Sequence, residues 1–392
     1  MKFRTTFVLA ALSILGANSS YAQTVINITG ATAFRDAAHL AIIATLGGEG
    51  VAQRARTDLT LPGNTSASNL RIYRGFIGSN EYIIRATFSG STQGILDLAD
   101  QNDLYYLKTD TTMVTTGTGS FTGTVLANTE FGKAGLSFSD VEKTLSQRPN
   151  ATLGGGPVGV VPFMFVAGKG APAGITNMTD QLHEALWSLG QLDSSFLGLT
   201  SGTTLLATGR GNGSGTRATI LAETGYGPFR SVVQFTANTT NGAITQFSTS
   251  NLGGGHTSNS GVSGVLGINR SLLNFGTVPV DAVFVSYLTV SDAITATGYD
   301  QSSGASNPAL AVPMTYNGVR YSAANVQSGA YTLWGYQQLY TKPTLTALES
   351  SFDMALRASI ALPANLGSAG IATTTMTVTR FNGDGGVILP NN

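Results

Sequence analysis

Apolar runs and short polar turns follow one another along the chain in an order typical of α/β proteins. The strand-like run 24–28 leads through a small polar turn into an apolar helix pattern over 34–43. The strand-like run 82–88 leads in the same way into a helix-like segment over 95–99. Because strand, turn and helix in this order form the repeating unit of α/β folds, we predict an α/β architecture.

Later segments extend this pattern. The continuous apolar run 158–166 is rich in β-branched residues and predicts a strand that is buried on both faces. The segment 178–190 is an amphipathic helix pattern that ends in glycine. Further predicted elements are strands over 203–208, 282–290 and 373–380, a short strand that ends near 139, and a last long helix over 345–361. The stretches 46–69 and 228–280 have the Gly/Ser/Thr/Asn composition of loops, and the aromatic cluster 331–340 predicts core packing rather than a sugar-binding platform.

The N-terminus indicates export. Lys2 and Arg4 precede the apolar run 7–15, and Ser20-Tyr21-Ala22 supplies the small residues of a cleavage site. The run is too short to span a bilayer, so we predict a signal peptide over 1–22 and no membrane insertion. The expected location is the periplasm or the extracellular medium.

Composition excludes several classes of function. The chain of 392 residues has no cysteine, which excludes a disulfide scaffold and thiolate metal sites. Removing Lys2 and Arg4 from the 21 basic residues leaves 19 against 21 acidic residues, a net charge of −2. This charge provides no basis for binding nucleic acid. The three histidines lack metal-ligand spacing, and we expect a monomer without a cofactor.

The loop 209–217 carries the most specific chemistry. It combines Arg210 and Arg217 with two hydroxyls and several glycine N–H groups, and a helix pattern follows directly. Helix N-termini and arginine forks both bind oxyanions, so the loop predicts an anion site, although a flexible turn is the alternative interpretation. No G-x-S-x-G elbow surrounds Ser214 and the loop lacks the lysine of an NTPase phosphate loop. We therefore predict that the protein is not an enzyme.

The turns and their order resemble those of the periplasmic phosphate-binding proteins of ABC transporters. The matching segments are 29–34, 90–92, 138–140 and 210–217, with weaker matches at 285–287 and 331–334. The chain departs from the family pattern at Asn212, where an aspartate is common, in insertions near 44–70, 101–130 and 228–280, and in having no lipid anchor.

The resemblance implies a two-lobed type II periplasmic binding protein fold, with mixed sheets flanked by helices and a ligand cleft between the lobes. Lobe one is expected to comprise 24–157 plus 291–392, and lobe two 158–290. The implied function is capture of a small oxyanion, phosphate first, for an ABC transporter permease. The alternatives are another oxyanion, an organic phosphate, or a secreted surface or interaction protein that reuses the fold.

The resemblance also implies the ligand-binding residues. These are Thr32, Ala33 (through its main chain), Ser91, Thr92, Asp140, Arg210, Ser214, Gly215, Thr216 and Arg217. As a carboxylate, Asp140 would accept a hydrogen bond from a ligand that keeps a proton, which monohydrogen phosphate does and sulfate does not. The alternative is that Asp140 caps a helix beginning near 141 and that Ser91 and Thr92 only cap the helix that follows them. Arg35 is expected on a solvated helix face, with a position facing the cleft as the alternative.

Overall fold

The computed structural model describes residues 23–48, 51–56, 69–109, 119–121, 129–200, 202–240, 243–250, 253–269, 281–367 and 370–391. The predicted signal peptide lies outside these residues, as do large parts of the predicted insertions near 44–70 and 101–130. No helix in the described part of the chain is long and apolar enough to cross a membrane.

The two strand–turn–helix units that the sequence pattern predicts near the start of the chain are found, with further strands after each of them. In the first part of the chain they are β1 (Thr24–Gly30), α1 (Arg35–Thr45), β2 (Ala52–Arg56), β3 (Leu70–Ile77), β4 (Asn80–Thr87), α2 (Ser91–Asp100), β5 (Asp103–Leu107), β6 (Gly119–Phe121), β7 (Thr129–Lys133), β8 (Leu136–Ser139) and β9 (Gly154–Ala167). The middle part contains β10 (Asn177–Met178), α3 (Asp180–Leu189), β11 (Gln191–Asp193), β12 (Thr204–Ala207), α4 (Gly215–Glu223), β13 (Gln234–Thr240), β14 (Ala243–Ser250), α5 (Asn259–Leu266) and β15 (Ala282–Thr289). The last part contains α6 (Val290–Thr297), β16 (Val312–Pro313), β17 (Thr315–Tyr316), α7 (Ala323–Gln327), β18 (Trp334–Thr341), α8 (Ala347–Ile360), β19 (Val378–Arg380) and β20 (Ile388–Pro390).

A 12-stranded mixed sheet connects most of these strands in the order β11-β12-β15-β9-β18-β8-β1-β4-β3-β2-β6, with β16 beside β9. Strand β9 spans both halves of the sheet. Its residues 154–162 pair with β18, and its residues 163–167 pair with β15. The boundary expected between 157 and 158 falls inside this strand, and the division into lobes stays a prediction.

Parallel pairing brings the turns of the sequence analysis to common edges of the sheet. Strand β1 runs parallel to β4 and β8, so these three strands end side by side at Gly30, Thr87 and Ser139. Strands β12 and β15 are also parallel and end at Ala207 and Thr289. In open α/β sheets ligands bind at the carboxyl ends of the strands, so these edges are where a site is expected.

The longest apolar runs of the sequence form the most deeply buried strands of the core. Every residue of β15 is buried, and the last ten residues of β9 are buried as well, as in a strand covered on both faces. Tyr331, Leu333 and Trp334 have no exposed surface, so the aromatic cluster is core as predicted. His183 is also buried and stacks on Trp187 with ring centroids 4.5 Å apart.

Three sequence predictions are wrong in detail. Residues 52–56 form a strand between β3 and β6 instead of a loop, and the loop-like stretch 228–280 contains the β13–β14 hairpin and α5. The strand predicted over 373–380 is reduced to its last three residues. The Thr375 hydroxyl donates to the carbonyl of Ala372 (2.8 Å), and this local bond favours a helical turn over a ladder.

The C-terminal segment holds α4 against β18. Arg380 forms an ion pair with Glu223, the last residue of α4, at 2.7 Å, and both side chains are buried. The Asp384 carboxylate accepts the backbone N–H groups of Glu142 (2.8 Å) and Tyr336 (3.4 Å). These contacts fix the far end of α4, the helix whose N-terminus carries the arginine-glycine loop.

Candidate functional site

Two glycines allow three turns to meet at one edge of the sheet. Gly30 (φ +114°), the last residue of β1, lies so close to Phe138 that a side chain would overlap the Phe138 carbonyl. The Ala31 N–H donates to that carbonyl at 2.8 Å. Gly90 (φ +111°) donates its N–H to the carbonyl of Gly30 at 2.9 Å. The positive φ angles are accessible to glycine at little cost. The turn after β1, the N-terminus of α2 and residue Asp140 are therefore brought together.

Asp140 lies at the centre of this group of turns. It is 1% exposed, and its two carboxylate oxygens accept the hydroxyls of Ser91 and of Thr216, the latter at 3.0 Å. Its backbone carbonyl accepts the Thr219 hydroxyl at 2.9 Å. The capping interpretation of Asp140 is wrong, because its side chain caps no helix and the next helical turn begins only at Lys143.

The N-terminus of α4 abuts the Asp140 carboxylate. Ser214 is the N-cap, and its hydroxyl accepts the N–H of Arg217 at 3.3 Å. A side chain at Gly215 would overlap the Asp140 carboxylate and would lie 2.5 Å from the Ser91 Cβ. Only glycine fits at this first helical position, and the positive end of the helix dipole lies against the carboxylate.

The N-terminus of α2 approaches the same loop from the other side. Its N-cap is Gly90, with no side-chain cap, and Ser91 is the first helical residue. The interpretation of Ser91 and Thr92 as caps is therefore wrong. The Thr92 hydroxyl donates to the carbonyl of Asn212 at 3.0 Å, so α2 is hydrogen-bonded directly to the arginine-glycine loop.

Arg210 is buried, with 2% of its surface exposed, and it is held by neutral acceptors. Its guanidinium donates to the Asn259 side chain (2.6 Å), to the carbonyls of Thr257 (3.0 Å) and His256 (3.2 Å), and to the Thr32 hydroxyl (3.4 Å). Within the described part of the chain it makes no ion pair.

Arg210 and Asp140 nevertheless influence each other electrostatically. Burial raises the pKa of the Asp140 carboxyl above its ordinary value, while the Ser91 and Thr216 hydrogen bonds and the charge of Arg210 oppose this change. Burial lowers the pKa of Arg210, and the charge of Asp140 is the largest influence that raises it again. The site thus combines a buried cation and a buried carboxylate with two hydroxyl donors.

The last two predicted residues, Arg217 and Ala33, differ in their relation to this group. Arg217 is buried, and its guanidinium donates to the carbonyls of Arg210 and Gly254 at 3.3 Å each, which ties the loop to the segment behind it. Ala33 lines a separate cavity of about 70 Å³ together with Asp36 and Thr289. Of the predicted set, the structure brings together Thr32, Ser91, Thr92, Asp140, Arg210, Ser214, Gly215, Thr216 and Arg217.

Several residues of the site escaped the sequence analysis. Asn259 at the start of α5 donates to the Asp292 carboxylate at 2.7 Å while it accepts from Arg210. The Tyr287 hydroxyl accepts the backbone N–H of Arg210 at 3.4 Å. Arg35 does not lie on a solvated helix face. Its side chain is half-buried, and its Nε is enclosed without a hydrogen-bond partner. The Ser-Asn start of α5 is a helix-capping pattern that could have indicated Asn259.

Comparison with known proteins gives a match in fold. No model of a known protein family matches the chain, and no curated protein matches its sequence. A structure described as a phosphate ABC transporter substrate-binding protein from Clostridium perfringens, with bound phosphate, superposes with a TM-score of 0.50 at 12% identity, covering 89% of this chain and 100% of that chain. An ABC-type phosphate transport receptor from Vibrio cholerae gives a TM-score of 0.48 at 13% identity, with coverage of 89% and 100%. At these identities the likeness to the Clostridium protein concerns the fold: the chain has the two-lobed α/β fold of type II periplasmic binding proteins.

Proposed function

We propose that this protein is an exported solute-binding protein that captures a small oxyanion between its two lobes, with monohydrogen phosphate as the ligand that fits best. The observation that carries the proposal is the buried pair of Arg210 and Asp140. One is a cation held by neutral acceptors, and the other is a carboxylate that can accept a hydrogen bond from a protonated ligand.

The charge of Arg210 supports an anionic ligand. A buried charge is costly unless it is paired, and carbonyl and amide acceptors satisfy the N–H groups of Arg210 without neutralising it. The N-termini of α2 and α4 add positive potential at the same place. An oxyanion in contact with Arg210 would compensate this excess positive charge.

Asp140 supports phosphate rather than sulfate. An ionised carboxylate has no proton to donate, so it forms a hydrogen bond only with a ligand that carries one. The Ser91 and Thr216 hydroxyls donate to Asp140, and hydroxyl rotation lets the same groups donate to anion oxygens instead. Asp140 would then accept a hydrogen bond from the one hydroxyl group of monohydrogen phosphate.

The position of the donors along the chain supports closure around the ligand. Thr32 and Ser91 belong to the predicted first lobe, whereas Arg210 and Thr216 belong to the predicted second lobe. A ligand that contacts both sets favours the closed arrangement. Delivery to an ABC transporter permease and a periplasmic location complete the proposal, which the export signal pattern over 1–22 supports.

Isothermal titration with phosphate tests the proposal. We expect the wild-type protein to bind phosphate and Arg210→Gln to bind it at least about a hundredfold more weakly, because a buried anion loses its cation. Arg148→Gln is the matched control, since Arg148 is partly exposed and pairs with Asp100 at 2.6 Å. Equal binding by Arg210→Gln would contradict the site, and the absence of phosphate binding by the wild type would favour a surface or interaction role.

A further inference from the structure

Arg35 lies close to the candidate anion site. It is the first residue of α1, three positions after Thr32, whose hydroxyl accepts an N–H group of Arg210 at 3.4 Å. One guanidinium nitrogen of Arg35 donates to the side-chain oxygen of Asn69, and its Nε is buried without a hydrogen-bond partner. The guanidinium is thus largely removed from water and retains an unused donor.

Two arginines and two aspartates surround Arg35, so the group carries one net positive charge when Arg35 itself is counted. The charged groups that influence it are Asp36 on its own helix, Arg71 on β3, Asp292 on α6 and Arg210 on the loop. Burial is the main cause that lowers the pKa of Arg35, and both neighbouring arginines lower it further. Asp36 is exposed, and Arg35 makes no ion pair within the described part of the chain.

Asp292, the acidic neighbour of Arg35 on α6, already accepts hydrogen bonds from two other side chains. The Asp292 carboxylate accepts hydrogen bonds from the side chains of Asn259 (2.7 Å) and Thr289 (2.5 Å). His39, one turn after Arg35, does not titrate near neutral pH, because burial and the charge of Arg71 lower its pKa to about 4. Arg35, three positions after Thr32 on α1, and Arg210, which is hydrogen-bonded to Thr32, are therefore two cations that keep their charge near neutral pH.

We propose that Arg35 is the second cation of the anion site and that the site prefers a doubly charged oxyanion, HPO4²⁻, to singly charged H2PO4⁻. This inference rests on the proposed function. Coulomb attraction scales with the product of the charges, so a dianion gains about twice as much as a monoanion from each guanidinium. Arg35 then gives the site its preference for a dianion, and Asp140 gives it a preference for a ligand that carries a proton. Variants of the two residues can test these preferences separately.

Phosphate titrations of the full secreted protein at about pH 5.5 and about pH 8, on either side of the second ionisation of phosphate, test the inference. Wild-type affinity should rise from the lower to the higher pH. Arg35→Gln should lose affinity on the order of ten- to a hundredfold at the higher pH and less at the lower pH. Any contribution from titration of Asp140 is common to both proteins, so it cancels when they are compared.

Two further variants keep the test decisive. Arg35→Lys preserves the charge and should retain the rise in affinity with pH, whereas Arg148→Gln should behave as the wild type. Equal losses by Arg35→Gln at both pH values, or no loss, would overturn the inference and leave the proposed function standing. If the wild type binds phosphate at neither pH, the proposed function fails, and the inference fails with it.

Discussion

Replacing Asp140 with asparagine removes the carboxylate while it keeps nearly the same shape. The side chain is fully buried between Ser91 and Thr216, so water cannot take over the lost acceptor. The amide oxygen still accepts one of the two hydroxyls, and the amide nitrogen presents a donor where the carboxylate presented an acceptor. A ligand that carries a proton therefore loses its acceptor, and a ligand without one gains a donor.

The magnitude follows from these contacts. Removing the negative charge relieves repulsion of the two dianions, monohydrogen phosphate and sulfate, by about 4 kcal/mol per unit of ligand charge at about 4 Å and an effective dielectric constant of about 20. This contribution cancels in the ratio of the two affinities. The hydrogen bond from the phosphate proton to the Asp140 carboxylate does not cancel, and bonds to charged groups contribute about 1.5–3 kcal/mol. The preference for phosphate over sulfate should therefore fall by about ten- to 150-fold.

Isothermal titration of wild type and Asp140→Asn with both anions at neutral pH gives the two ratios. Asp100→Asn is the control, because Asp100 is partly exposed and pairs with Arg148 at the surface. We expect the ratio to be unchanged in the control and strongly reduced in Asp140→Asn. An unchanged ratio in Asp140→Asn would refute the role of Asp140 as the acceptor of the ligand proton.

Two further predictions concern stability. Gly215→Ala should destabilise the protein by about 1–3 kcal/mol, measured by urea unfolding, and weaken phosphate binding, because the added methyl group would overlap Asp140; stability equal to that of the wild type would contradict the close packing. Burial raises the pKa of Asp384 from 3.8 to about 7, so its contribution to stability is complete below about pH 4 and is lost as the pH rises through about 7. The free energy of unfolding should therefore decrease between these pH values, and Asp384→Asn should decrease less; equal pH dependence in both proteins would contradict the raised pKa.

Elements that carry a pattern within their own residues could be predicted from the sequence. The apolar run of β9, the glycine that ends α3 and the glycine-rich loop before α4 each carry their own pattern, and each is found near its predicted place. The strand predicted over 373–380 failed because hydroxyl bonds to the backbone compete with strand pairing, which residue type alone does not reveal.

The partners within the site could not be predicted in the same way. Two acceptors of Arg210 are backbone carbonyls, which every residue possesses, and Asn259 lies in a stretch with the composition of a loop. Asp140 offered a local interpretation as a helix cap, but its partners Ser91 and Thr216 are 49 and 76 positions away along the chain. Long-range pairing of this kind depends on the fold, so the residue types were predictable and their contacts were not.

The most direct test of the account is a pair of calorimetric titrations of wild-type protein, unfolded and refolded to remove bound ligand, first with phosphate and then with sulfate at neutral pH. The buried Arg210 and the acceptor Asp140 predict tight binding of phosphate and much weaker binding of sulfate. Equal binding of both anions would contradict the role of Asp140, and binding of neither would contradict the anion site itself.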